Sequence, residues 1–211
     1  MADVAARPYA TPEDLEGADE HHDPHDTGTG VSNNKLAMWA FLGSDCLLFG
    51  ALISTYLLLR RRGEEVEAEE LFDIPFTSVS AFVLLMSSLT MVLAVSAANQ
   101  RDGRRMRMWL LATALLGSVF IAGQVYEFTV FYNEGLGYTT NIFSSAFYTL
   151  TGFHGVHVSV GILMLVSLFA MSATGRFDEE KNAETVEIVG LYWHFVDIVW
   201  IVIFTIVYLI P

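Results

Sequence analysis

Four stretches of this chain set ionisable side chains inside apolar sequence, alone or one helical turn apart. They are Tyr192-Trp193-His194-Phe195-Val196-Asp197, Gly152-Phe153-His154-Gly155-Val156-His157, Gln124 with Glu127, and Asp45. Side chains three apart share a helix face, which pairs His194 with Asp197 and His154 with His157. An aspartate that fixes a histidine tautomer is a common device behind a metal ligand; it is equally a way for two buried polar groups to satisfy each other. His154, His157 and His194 could in principle ligate an open zinc site. Two histidines on one helix cannot take both faces of one haem, although ligands from separate helices can. A di-iron carboxylate bundle needs Glu-x-x-His on two helices, and none occurs within the apolar runs. Asp45, Glu127, His154, His157, His194 and Asp197 are read as buried polar or proton-related residues, and no residue is assigned to catalysis, cofactor binding or metal.

The elements that must position them are five apolar runs: Leu36 to Leu59, Pro75 to Ala98, Met108 to Tyr132, Ile142 to Ala173 and Val186 to Ile210. Each reaches the ~20 residues that a spanning helix requires. With 53 % hydrophobic residues and a mean hydropathy of +0.45, the chain is too apolar for an ordinary soluble domain. The expected fold is all-α, a polytopic bundle of five transmembrane helices. The fourth run exceeds the need, so it is tilted or begins with an interfacial turn. Trp39, Trp109, Tyr132 and Tyr208 lie near the run ends, where amphipathic rings favour the headgroup region. Asn33-Asn34 and Gly175 read as cap signals.

The net charge of -13 describes the wet parts, since most acids fall in the N-terminal tail, the Glu64 to Asp73 segment and the Asp178 to Glu187 loop. The basic patch needed for nucleic-acid binding is missing. Cys46 is the only cysteine, which excludes an internal disulfide or CxxC pair. Residues 1–34 are polar and acidic without apolar periodicity, and read as a disordered tail before a membrane domain over 35–211. This is unlike a secretory signal, so the first run serves as an uncleaved insertion signal. In the tail, His21-His22-Asp23-Pro24-His25 could hold a metal but reads first as a solvated tract. Neither a P-loop, a dinucleotide fingerprint nor a nucleophile elbow occurs.

With five spans, Arg7, Lys35, Arg101, Arg104, Arg105, Arg107, Arg176 and Lys181 fall on one side and Arg60, Arg61 and Arg62 on the other. The positive-inside bias places the N-terminus in the cytoplasm and the C-terminus outside. Asp45 is then about ten residues, or ~15 Å, into its helix, where an unpaired charge costs about 2.5–3.5 kcal/mol on insertion scales. It must be protonated, hydrogen-bonded or facing protein, as a packing lock or beside a proton or water path. Gly43, Cys46, Gly50 and Ser54 form a small-residue stripe suited to close helix packing. Gly117, Phe120, Gln124 and Glu127 share one face of the third helix. His154 and His157 share a face with Gly161.

Phe41-Leu42-Gly43-Ser44-Asp45 with Phe49, Gln124-x-x-Glu127, Thr151-Gly152-Phe153-His154-Gly155-Val156-His157-Val158 and Tyr192-Trp193-His194-Phe195-Val196-Asp197-Ile198-Val199-Trp200 together resemble subunit III of the haem-copper respiratory oxidases. The likeness runs from about Leu36 to the C-terminus. It implies a five-helix form without the two further N-terminal helices of other members. It also implies an accessory, non-catalytic subunit of a proton-pumping cytochrome c oxidase in the respiratory chain of a bacterial cell membrane. Such a subunit binds subunit I and other oxidase subunits, holds membrane phospholipid, and supports proton uptake and turnover stability. Haem and copper belong to the partner subunits. Asp45 matches the family's buried helix carboxylate, commonly Glu, while Glu127, His154, His157, His194 and Asp197 match its polar interior. Alternatives are the equivalent subunit of a quinol oxidase, the related protein associated with nitric oxide reductase, an independent proton or ion carrier, and a membrane protein with its own haem or metal. Glu64, Glu65, Glu67, Glu69 and Glu70 read as a solvated loop that could attract a basic cytochrome c.

Overall fold

The computed structural model describes residues 32–60, 73–174 and 179–210, with side chains from 183 in the last segment. The expected tail up to residue 31, its histidine tract, the Arg61-Arg62 pair, the acidic Glu64–Glu70 loop and the Gly175 cap lie outside the described residues. Two compact units divide the chain, Met1–Ala37 and Met38–Pro211. The described part of the first is a helix start, where the Ser32 hydroxyl accepts the Lys35 amide at 3.3 Å. Ser32, and not the Asn33-Asn34 pair, is therefore the cap.

The order is α1 (Asn33–Arg60), α2 (Ile74–Asn99), α3 (Gly103–Asn133), α4 (Ile142–Ala173) and α5 (Glu179–Phe204), closed by a π-helical turn over Thr205–Leu209. All five are long and apolar enough to cross a membrane, so the fold is all-α and polytopic. Helices satisfy their own backbone groups, which the hydrocarbon region demands. Their ends follow local chemistry. Asp73 accepts the Phe76 amide at 3.1 Å, with Pro75 in the first turn of α2. Asp102 accepts the Arg105 amide at 3.0 Å and starts α3 ahead of its apolar run. Asn141 and Ser144 form a capping box that begins α4 at Ile142, directly after a turn over residues 138–140.

Two helix ends share one design. After α2, the Asp102 amide bonds to the Ala97 carbonyl and the Arg101 amide to the Ala98 carbonyl; after α3, Leu136 bonds to Phe131 and Gly135 to Tyr132. Both are paired 6→1 and 5→2 closures that place one residue in the left-handed region. Gly135 occupies it with φ +90° and Arg101 with φ +58°.

α2 packs against α3 and α5, and α4 against α3 and α5, giving a closed ring of four helices. α1 lies against this ring through long side chains. Leu42, Asp45, Phe49 and Tyr56 are its buried face, and the contacts include Phe41 on Tyr192, Phe49 on His157 and Tyr56 on Phe143. Its small-residue stripe of Gly43, Cys46, Gly50 and Ser54 faces outward. Trp39 (58 % exposed) and Tyr132 (71 %) sit at helix ends as expected, whereas Tyr208 is turned inward by the π turn and is buried.

Candidate functional site

The ring closes around Trp193. Its Nε1 donates to the Ser87 hydroxyl at 2.9 Å, and its six-membered ring lies in a slot between α3 and α4. A Cβ on Gly117 would stand 2.6 Å from that ring, and one on Gly161 would stand 2.8 Å from it. These two glycines admit an indole where any side chain would collide. The register so set determines where the flanking residues of α5 point.

Beyond Trp193, the sequence-predicted polar residues separate into three groups and a lone His154. In the first, Asp45 of α1 meets His157 of α4, Oδ2 to Nε2 at 3.6 Å, which is an electrostatic contact too long for a hydrogen bond. His157 Nδ1 donates to the Phe153 carbonyl at 2.7 Å, so Nε2 is the atom turned to the carboxyl. The His157 carbonyl accepts the Tyr192 hydroxyl at 2.9 Å. A cavity of about 300 Å³, lined by Phe41, Val156, Val160 and Tyr192, runs up to this histidine.

The second group lies between α2 and α5. His194 does not bond to Asp197, as their spacing suggests; its Nδ1 is 2.6 Å from the Ser88 hydroxyl. Asp197 is 3 % exposed, and neither carboxyl oxygen completes a hydrogen bond of ordinary geometry, although the Ser88 hydroxyl interacts with it. The Ser88 hydroxyl thus bridges His194 Nδ1 and the Asp197 carboxyl, and its contact to His194 is the one of ordinary hydrogen-bond geometry. His154, which the spacing groups with His157, instead turns into the ring. It is fully buried, stacks on Trp200 at 4.8 Å and meets the edge of Phe120 at 5.8 Å. Both its ring nitrogens and the Trp200 Nε1 are buried without a hydrogen bond.

The third group is at the far end of the bundle. Glu127 Oε1 accepts the Thr77 hydroxyl at 2.8 Å and the Tyr208 hydroxyl at 3.0 Å. One turn away, Gln124 Nε2 donates to the Thr151 carbonyl at 2.8 Å. Its amide oxygen fits against Gly155.

Sequence reasoning named all six ionisable residues but missed their partners Ser88, Thr77 and Tyr208. Adjacent hydroxyls at Ser87-Ser88, in the middle of an apolar run, were the available signal. The six are not assembled into one centre. Among the described residues, no three His, Cys, Asp or Glu side chains converge on a point that could hold a metal ion. The arrangement can tie helices together and hold protons at buried sites.

A family model described as Cytochrome c oxidase subunit III matches residues 25–210. A protein named Cytochrome c oxidase subunit 3 from Bacillus sp. (strain PS3) is 42 % identical over 188 residues, covering 88 % of this chain and 90 % of the relative. A Probable quinol oxidase subunit 3 from Staphylococcus saprophyticus is 40 % identical over 179 residues, 84 % of this chain and 89 % of the relative. Another of that name, from Staphylococcus aureus (strain USA300), is 39 % identical over 194 residues, 88 % and 96 %.

Proposed function

Because the chain belongs to the subunit III family of the haem-copper oxidases, cytochrome c or quinol type, we propose that it is the accessory subunit of a proton-pumping oxidase, supporting proton uptake and turnover stability. Membership of an oxidase complex, with other oxidase subunits as partners, follows from the family. The finer reading is that it packs on subunit I, holds phospholipid and leaves oxygen reduction to haem and copper in its partners. The N-terminus is cytoplasmic and the C-terminus outside, in a bacterial cell membrane. Asp45, Glu127, His154, His157, His194 and Asp197 act as the buried polar and proton-related residues.

The observation that carries this reading is that the six ionisable side chains, buried or half-buried, form no single centre: Asp45 with His157, His194 with Asp197, and Glu127 make three separate groups, and His154 stacks by itself on Trp200. Such an arrangement suits a bundle whose work is to stabilise and to hold protons, since intramembrane ionisable residues are costly and otherwise selected against. Relatives named for cytochrome c oxidase (42 % identical) and for quinol oxidase (40 %) support the two donor types about equally, and cytochrome c is the one we propose.

Comparing oxidase complex with and without this chain tests the reading. Without it, proton uptake during turnover is expected to slow and the number of turnovers before inactivation to fall. A complex that pumps and survives equally well without the chain would overturn it. An independent carrier is separated by flux assays on the chain alone in liposomes.

A further inference from the structure

We propose that the groove between α2 and α5 is a proton entrance, and that His194 and Ser88 relay protons from it to Asp197, a buried store near the middle of the span. The groove encloses about 440 Å³. Its walls are one face of each helix: Val92, Val95, Ser96 and Asn99 on α2, and Glu187, Gly190, Leu191 and His194 on α5. Both sets are spaced i, i+3, i+4, i+7, so each forms a continuous strip along its helix.

The polarity of the strips is graded. Ser96, Asn99 and Gln100 are exposed at the end where α2 stops, together with Glu187 they ring the mouth, and the walls below are apolar. At ~1.5 Å rise per residue, Glu187 lies roughly 6 Å, His194 roughly 16 Å and Asp197 roughly 21 Å from the Ala183 end of the span. The floor is therefore an imidazole deep in the bilayer region. With Nδ1 held by Ser88 at 2.6 Å, the imidazole leaves Nε2 as the nitrogen available to the groove. At about 30 Å³ per molecule, this volume admits a file of water that can reach Nε2.

Beyond the floor stands the unusual group. Asp197 is a buried carboxyl with both oxygens lacking a proper hydrogen bond, and the one hydroxyl that interacts with it is Ser88. A carboxyl used only to join helices would be expected to have well-formed partners, as Glu127 has.

The transfer balances simply. A hydronium ion in the groove gives its proton to His194 Nε2, leaving water. The Nδ1 proton passes to Ser88 Oγ, and the Ser88 hydroxyl proton forms a new O–H bond on the Asp197 carboxylate. Histidine ends as the Nε2-protonated tautomer, and the reverse sequence resets it. On the proposed orientation the mouth opens on the cytoplasmic side, the side of the loop between α2 and α3. The inference deepens the proton-uptake reading and rests on it for its use during turnover.

The test is infrared measurement of hydrogen–deuterium exchange at protonated carboxyl groups of the whole oxidase complex, with Asp197→Asn identifying the Asp197 band. Ser88→Ala breaks the bridge, and Val92→Trp, at a 51 % exposed groove position, plugs the path without entering the core. Ser88→Ala is expected to slow exchange at Asp197 roughly tenfold or more, the change that loss of one relay hydrogen bond makes to a barrier, Val92→Trp to slow it by closing the water path, and both to leave Glu127 unchanged. Unaltered exchange at Asp197 in both variants, or no band lost in Asp197→Asn, would overturn the relay. Slowed exchange with unaltered proton uptake during turnover would uphold the relay and remove the uptake reading instead.

Discussion

Replacing Gly117 with alanine tests the packing on which all three polar groups depend. On an open helix face, glycine to alanine is favourable by up to about 1 kcal/mol. Here the new Cβ would stand 2.6 Å from Trp193 Cη2, 3.0 Å from Cζ2 and 3.3 Å from Ile162 Cγ1. The indole cannot withdraw, because Gly161 lines its opposite side and Ser87 holds its Nε1. Overpacking of this kind costs about 1–3 kcal/mol, which reverses the sign. For a chain of this size, that is roughly 2–12 °C in melting temperature. The assay is thermal unfolding of the detergent-solubilised chain, with Gly43→Ala and Gly50→Ala as references, since nothing lies within 4 Å of either position. Trp193→Phe loses the Ser87 hydrogen bond, about 1 kcal/mol, but makes room. Combined with Gly117→Ala, it is expected to cost less than the sum of the two singles. If Gly117→Ala is as stable as Gly43→Ala, or the double mutant is strictly additive, the keyed indole does not set the register.

Other expectations bear on the remaining features. Arg101→Gly should stabilise by about 1 kcal/mol, because arginine holds a left-handed conformation that glycine adopts freely, while Gly135→Ala should cost a similar amount; equal melting temperatures would contradict this. Tyr208→Phe and Thr77→Val each remove one donor to buried Glu127 and should cost about 1–3 kcal/mol, with the double less than additive. Graded denaturant unfolding in mixed micelles measures this, and strict additivity would mean that the hydroxyls act separately. Asp45→Ala should leave assembly intact but shorten turnover lifetime or slow proton uptake. Unchanged activity through prolonged turnover would show that Asp45 only packs.

Much of the fold is legible in the sequence because hydropathy and span length are nearly sufficient for helices in lipid. The five runs coincide with the five helices, and some helices extend beyond their apolar runs. Asp102 extends α3 back over Arg104, Arg105 and Arg107, and α5 continues back through the polar residues to Glu179. Spacing also shows which ionisable residues lie inside the bundle, but not which way each turns. His154 and His157, three apart, diverge because the helix is wedged between different neighbours: Trp200 and Phe120 on one side, Asp45 and Phe49 on the other. His194 passes over Asp197 for Ser88, a residue 106 positions away, and no local pattern encodes that pairing. Tyr208 reads as an interfacial ring, yet the π turn rotates it inward to Glu127.

The central claim is that this chain works as a redox-inactive accessory subunit within an oxidase. Affinity isolation of the tagged chain from mild-detergent membranes, with an optical spectrum and mass spectrometry of what accompanies it, tests that most directly. The expected result is haem absorbance together with larger oxidase subunits, and loss of that absorbance from the chain when those subunits are stripped away. Recovery of the chain by itself, or haem that remains with the isolated chain, would contradict it.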